Sequence, residues 1–149
     1  MNPRIQALIQ WEQQWLQRWL DSFSASPSGR RRRAMLARTC EYLVIERLPL
    51  PDGYVPDEVD ALLLVDQFPT LPPIGIYLLN RGSERIVQQI SRRFNAFRNT
   101  AFHSAPAIEG YTWICFAYAD NQWRYNATAP HRGDNLAKFL GTFFAEAAA

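Results

Sequence analysis

His103-Ser-Ala-Pro-Ala-Ile-Glu-Gly-Tyr-Thr-Trp-Ile-Cys-Phe-Ala-Tyr-Ala-Asp-Asn-Gln-Trp123 is the stretch on which the reading of this chain turns. His103 and Pro106 open it in an irregular segment, and Gly110 permits a tight turn. Residues 113–119 have the aromatic and apolar composition of a strand. Cys115 sits within them, between Ile114 and Phe116. A thiol just past a glycine turn, with a histidine and a proline upstream, has the setting of a positioned nucleophile. The competing reading is plain: cysteine is among the most buried residues and often serves as a small hydrophobe.

Upstream of this stretch, Val59 to Val65 reads as a strand whose run Leu62-Leu63-Leu64 calls for burial on both faces. Phe68-Pro-Thr-Leu-Pro-Pro73 is a rigid turn, because each proline fixes its own φ and restrains the residue before it. Gly75 to Leu79 is a second strand, which makes an antiparallel meander. Ser83 is a helix cap candidate for residues 84–98. There Ile86, Ile90, Phe94 and Phe97 face inward, and Arg85, Arg92, Arg93 and Arg98 face away. Downstream, Asp134 is placed to cap a last helix over 135–147, with Leu136, Phe139, Leu140, Phe143 and Phe144 apolar.

At the other end, residues 3–23 carry helical spacing through Ile5, Leu8, Ile9, Leu16 and Leu20, with tryptophans at 11, 15 and 19. Ser24 to Gly29 breaks that helix. Residues 32–43 read as a second helix, with Cys40 in its core face. Leu48 to Pro56, rich in proline, reads as loop or edge. The sum is one α+β domain over 1–149: an N-terminal helical region over 1–45 and a core over 48–145.

Composition narrows the function classes. No apolar run approaches a membrane span and no signal-peptide core opens the chain, so a cytoplasmic protein without a membrane partner is expected. Cys40 and Cys115, with two histidines, make neither a disulfide framework nor a zinc site, and no metal or cofactor is expected. A net charge of +2 gives no bulk attraction to nucleic acid. Arg30 to Arg33 is a block of like charge, expected on a solvated surface. Fifteen of the sixteen cationic residues are arginine, and Lys138 is the exception. Codon bias accounts for this, as does avoidance of acceptor amines in a protein that carries an activated acyl group.

The order and spacing of these motifs resemble the ubiquitin-conjugating enzymes. Those proteins carry an N-terminal helix, a strand meander and a Phe-Pro turn ending in Pro-Pro, matched here by Phe68-Pro69 to Pro72-Pro73. They then carry His-Pro-Asn, a glycine shortly before Ile-Cys-Leu, and a tryptophan after the cysteine. Here stand His103, Pro106, Gly110, Ile114-Cys115-Phe116 and Trp123, over a resemblance spanning roughly residues 48–145. Three departures are clear: His103 and Pro106 are separated, Ala107 replaces the asparagine, and a helix over residues 80–100 is inserted ahead of the active-site loop. The pattern is similar to compact bacterial members that act in conjugation or antiphage operons.

The resemblance implies that Cys115 accepts a ubiquitin-like protein from an activating enzyme as a thioester. It passes this on to an amine of a target protein, such as a cGAS-like nucleotidyltransferase. His103 is then the candidate oxyanion donor, and Asp120 or Asp134 the proton acceptor. The alternatives are a catalytically inactive module of the same fold that binds the ubiquitin-like protein, a nucleic-acid-binding protein using Arg30–Arg33, and a cysteine protease using His103 or His131.

Overall fold

The computed structural model describes residues 1–98 and 105–148, apart from the side chains of Arg98, Asp120 and Asn121. A six-stranded antiparallel sheet forms its centre, in the order β1-β2-β3-β4-β6-β5. Helix α1 (Pro3–Asp21) and helix α3 (Leu136–Ala148) pack on one face. The strands are β1 (Arg33–Leu36), β2 (Tyr42–Pro49), β3 (Glu58–Leu64), β4 (Ile76–Leu79), β5 (Asn95–Arg98) and β6 (Tyr111–Cys115), with α2 (Glu84–Ile90) between β4 and β5. The α+β class, the N-terminal helix, the meander and the C-terminal helix are as the sequence led us to expect.

Strand alternation divides the sheet into two faces. Leu43, Ile45, Ala61, Leu63, Ile76, Leu78 and Ile114 point to the helices, where they meet Ile9, Leu16, Leu20, Phe139, Leu140 and Phe143. On the outer face the register aligns Met35, Val44, Leu62, Tyr77, Trp113 and Phe97 in one row across all six strands. The β6 end of that row is covered by Ala105 and Ile108, whereas Met35 at the β1 end is exposed.

Two helical expectations fail. Residues 32–43 form β1, a turn and the start of β2, so the region 1–45 is helical only over Pro3–Asp21. Cys40 adopts φ 61, which a helix interior excludes, and its N–H closes the turn on Ala37. The exposed edge of β1 is satisfied by α1: Gln17 and Gln13 bond the backbone of Arg32 and Ala34. That tertiary pairing, invisible in local spacing, decides for strand, and Cys40 remains a core residue within the turn. Likewise 84–98 is helical only to Ile90, after which Asn95–Arg98 pairs with β6. Phe94 still reaches the core, stacked on Phe143, while Phe97 packs on Trp113. Leu48 and Pro49 belong to β2 rather than to a loop.

Ser83 takes the N-cap position of α2 as expected, but its hydroxyl makes no capping bond and donates back to the carbonyls of Leu79 and Asn80. The cap expected at Asp134 differs. On α3 the cap is Asn135, which accepts from Lys138 N–H at 2.8 Å. A second acceptor comes from the opposite helix: Glu12 Oε1 takes Leu136 N–H at 2.9 Å. Glu12 is 2% exposed. Burial pushes its carboxyl from the ordinary 4.5 to about 7, although the Leu136 N–H pulls the other way. Desolvation thus outweighs the hydrogen bond from the first turn of α3.

The sign of the resulting pH effect is definite. Unfolded, Glu12 releases its proton near 4.5, and folded near 7. Between those values the folded chain holds the extra proton, so this group's contribution to stability falls as pH rises. A carboxyl held near 7 rather than 4.5 implies a loss of about 3 kcal/mol on complete ionisation. Glu12→Gln keeps an acceptor for Leu136 and removes the titration. Urea unfolding from pH 5 to pH 8 will show the glutamine variant gaining on the wild type by about that amount; a constant difference contradicts the burial account.

Candidate functional site

Cys115 is not carried by a loop. It is the last residue of β6, paired with Asn95 of β5. Alternation sends Ile114 into the helix-side core and leaves Cys115 half-buried on the outer face beside Trp113. The other thiol, Cys40, is buried.

A groove of about 820 Å³ opens at Cys115. The turn after β3 forms one side through Leu71, Pro72 and Pro73, with Leu71 53% exposed. Trp113, Phe116 and Tyr118 line it with the thiol, and so does Pro106. Two stretches far apart in the chain therefore meet here: the end of the Phe68–Pro73 turn, and the chain from Pro106 through β6 to Tyr118.

Specific bonds hold each wall. Tyr77 on β4 donates its hydroxyl to the Pro106 carbonyl at 2.6 Å. Trp123 Nε1 donates to the Pro69 carbonyl at 2.9 Å, so the tryptophan after the cysteine braces the proline turn. Its ring also meets Tyr118 edge-on at 5.6 Å. Trp113 Nε1 donates to the Ile74 carbonyl, across the start of β4. Gly75 lies under that bond with φ +94, and a Cβ there would overlap the Ile114 carbonyl and the Trp113 indole. Only glycine allows β4 to approach β6 this closely.

The electrostatics are spare. Asp66 and Gln67 are the side chains with polar ends at the rim, together with Tyr118. Burial, and secondarily the bond to Asp134, pushes the Tyr118 phenol up to about 12. Burial, and secondarily Asp66, pushes Tyr77 to about 12 as well. Both phenols stay protonated near neutrality and act as donors. Among the described lining residues there is no histidine, lysine or arginine.

The other site expectations divide. His103 lies outside the described residues. Asp120 falls in the short 3-10 turn Tyr118–Asn121, just after β6, and its side chain is outside the described set. Asp134 is already engaged, accepting from the Tyr118 hydroxyl at 2.8 Å and from Arg124 N–H at 2.6 Å, so a structural role replaces that of proton acceptor. His131 lines a different groove, between α1 and α3, which removes it from Cys115 and from a protease arrangement. Tyr118 and Asp66 line the groove and Tyr77 supports it from beneath through Pro106; sequence reasoning missed all three. For Tyr77 the signal was available, since strand alternation puts it opposite Ile76 in facing.

The basic block is mostly neutralised within the fold. Arg31 pairs with Asp21 at 2.6 Å, Arg32 with Glu58 at 2.9 Å and Arg33 with Glu46 at 2.8 Å. Arg32 is nearly buried and also donates to the Arg47 carbonyl, so it closes the sheet edge rather than meeting phosphate. Among the described residues, no three His, Cys, Asp or Glu side chains come together as metal ligands, and no helix is long and apolar enough to cross a membrane.

No protein-family model, no curated protein and no solved structure matches this chain.

Gly75→Ala tests how the site is built. The added methyl meets backbone at a positive φ, so the variant will lose roughly 2–4 kcal/mol in urea unfolding. Native-state alkylation of Cys115 will change severalfold as β6 shifts. Wild-type stability and wild-type thiol reactivity together contradict the close approach.

Proposed function

We propose that Cys115 is the nucleophile of a ubiquitin-conjugating-like transferase. The observation that carries the reading is the groove at Cys115, where the Pro-Pro turn, Pro106 and the thiol share one wall system. Those are the segments whose order resembles the family. The bond from Trp123 to Pro69 adds to this support, since it gives the tryptophan after the cysteine a definite task.

In this reading the groove receives an extended protein tail ending in a glycine thioester. The Cys115 thiolate attacks the carbonyl carbon, a new S–C bond forms, and the donor thiolate departs. No strong base is needed, because one thiolate replaces another. An amine of the target then attacks the same carbon, an amide forms, and Cys115 leaves as thiolate while the ammonium loses a proton to a base or to water. The oxyanion of the second step takes a hydrogen bond from His103 or from a backbone N–H of the 104–110 segment. Activating enzyme, ubiquitin-like protein and target are the partners this chemistry requires, and an antiviral setting rests on the resemblance alone. The second reading, a module that binds the same tail without transfer, is favoured by the lack of any cationic side chain among the described groove residues.

A synthetic peptide thioester ending in Gly-Gly distinguishes the two. Wild-type protein will gain the peptide mass in a bond that thiols cleave, and the mass will map to Cys115. Cys115→Ala will not gain it, and Cys115→Ser will gain at most a thiol-resistant oxygen ester. Saturable peptide binding without mass transfer supports the binding module instead. Transfer that persists in Cys115→Ala contradicts the transferase.

A further inference from the structure

A second groove, of about 410 Å³, lies between α1 and α3. It shares no lining residue with the Cys115 groove. Trp11, Trp15 and Trp19 recur every four residues, so they form one stripe roughly 12 Å long on α1. The rings of Trp11 and Trp15 stand 5.2 Å apart, and Trp15 is 37% exposed. Ala137 gives the α3 side a low wall.

The rim is cationic from both helices. Arg18 lies 5.6 Å from the Trp15 ring centre. Lys138, the one lysine of the chain, is pinned by bonds to the carbonyls of Gly133 at 2.6 Å and His131 at 3.2 Å. Neither cation has an ion pair among the described residues. The one acid in the lining, Glu12, is 2% exposed and engaged by Leu136 N–H. Tryptophans with an adjacent arginine in a concave patch have the composition of interface hot spots. Unpaired rim cations select a partner of opposite charge. The apolar surface is recessed between helices, whereas a face that lies on a bilayer must present its apolar stripe outward.

We propose that this groove docks an acidic amphipathic helix of a partner protein, with its apolar stripe on the three tryptophans and its carboxylates on Arg18 and Lys138. The stripe length suits about two to three turns of such a helix. This docking stands apart from the thiol chemistry.

The probe is a set of fluorescein-labelled 14-residue helical peptides bearing Leu and Phe on one face and Glu on the other, read by anisotropy. Their Lys-for-Glu counterparts, anionic phospholipid vesicles and sedimentation of the protein alone complete the set. Acidic peptides will bind saturably. Trp15→Ala, and separately Arg18→Glu with Lys138→Glu, will each weaken binding by about tenfold or more. The charge-reversed protein will instead prefer the Lys peptides. All substituted side chains lie at the surface, and thermal melts of the variants verify their folding. The proposal is overturned if no acidic peptide binds, if Glu and Lys peptides bind alike, or if neither variant weakens binding. It is equally overturned if Trp15→Ala abolishes self-association or vesicle binding while acidic peptides do not bind, which would give the groove to a second copy or to a membrane.

Discussion

The outer face of the sheet depends on how closely β4 meets β6 at Gly75. A side chain there would collide with the Ile114 carbonyl, and the Trp113 indole could not reach across to Ile74. With that contact made, β6 is held between β4 and β5, and alternation fixes what each residue does. Ile114 goes to the helices, while Trp113 and Cys115 go outward. A register slip of one residue would bury the thiol and expose the isoleucine.

The same alternation explains why the two faces carry different chemistry. The helix side is a continuous apolar core with one buried carboxyl, Glu12, set at the N-terminus of α3. The outer side is half covered, which leaves room for a groove beside the thiol. The proline turn forms one side of that groove; its prolines fix φ, and backbone bonds from Phe68 to Val65 and from Leu71 to Gln67 close it. Trp123 and Tyr118 brace it from the chain that follows β6, so the segments flanking the cysteine build both the site and its support.

Much of this was legible in the sequence. The periodicity of α1 and α3, the leucine run of β3 and the punctuation at Phe68–Pro73 each carry a local signal strong enough to read. The misses share one cause, an apolar spacing that suits helix and strand alike. Met35, Leu36, Cys40 and Leu43 fit a helix until α1 offers Gln13 and Gln17 to the edge of β1. Ile90, Phe94 and Phe97 fit a helix until β6 offers Phe97 a partner in Trp113. Cys115 and Pro106, singled out from local pattern, both line one groove, because a turn and a strand betray themselves. Asp134 was misassigned because its partners, Tyr118 and Arg124, are known only from the folded chain.

The central claim is that β6 delivers one thiol to an open groove and that the fold seals the other. Competitive alkylation of the native protein with iodoacetamide, followed residue by residue by mass spectrometry, tests it most directly. Cys115 will react at least about ten times faster than Cys40, and the gap will close in denaturant. If both cysteines are equally slow until the chain unfolds, the groove does not reach the sulfur, and the account of the site falls with it.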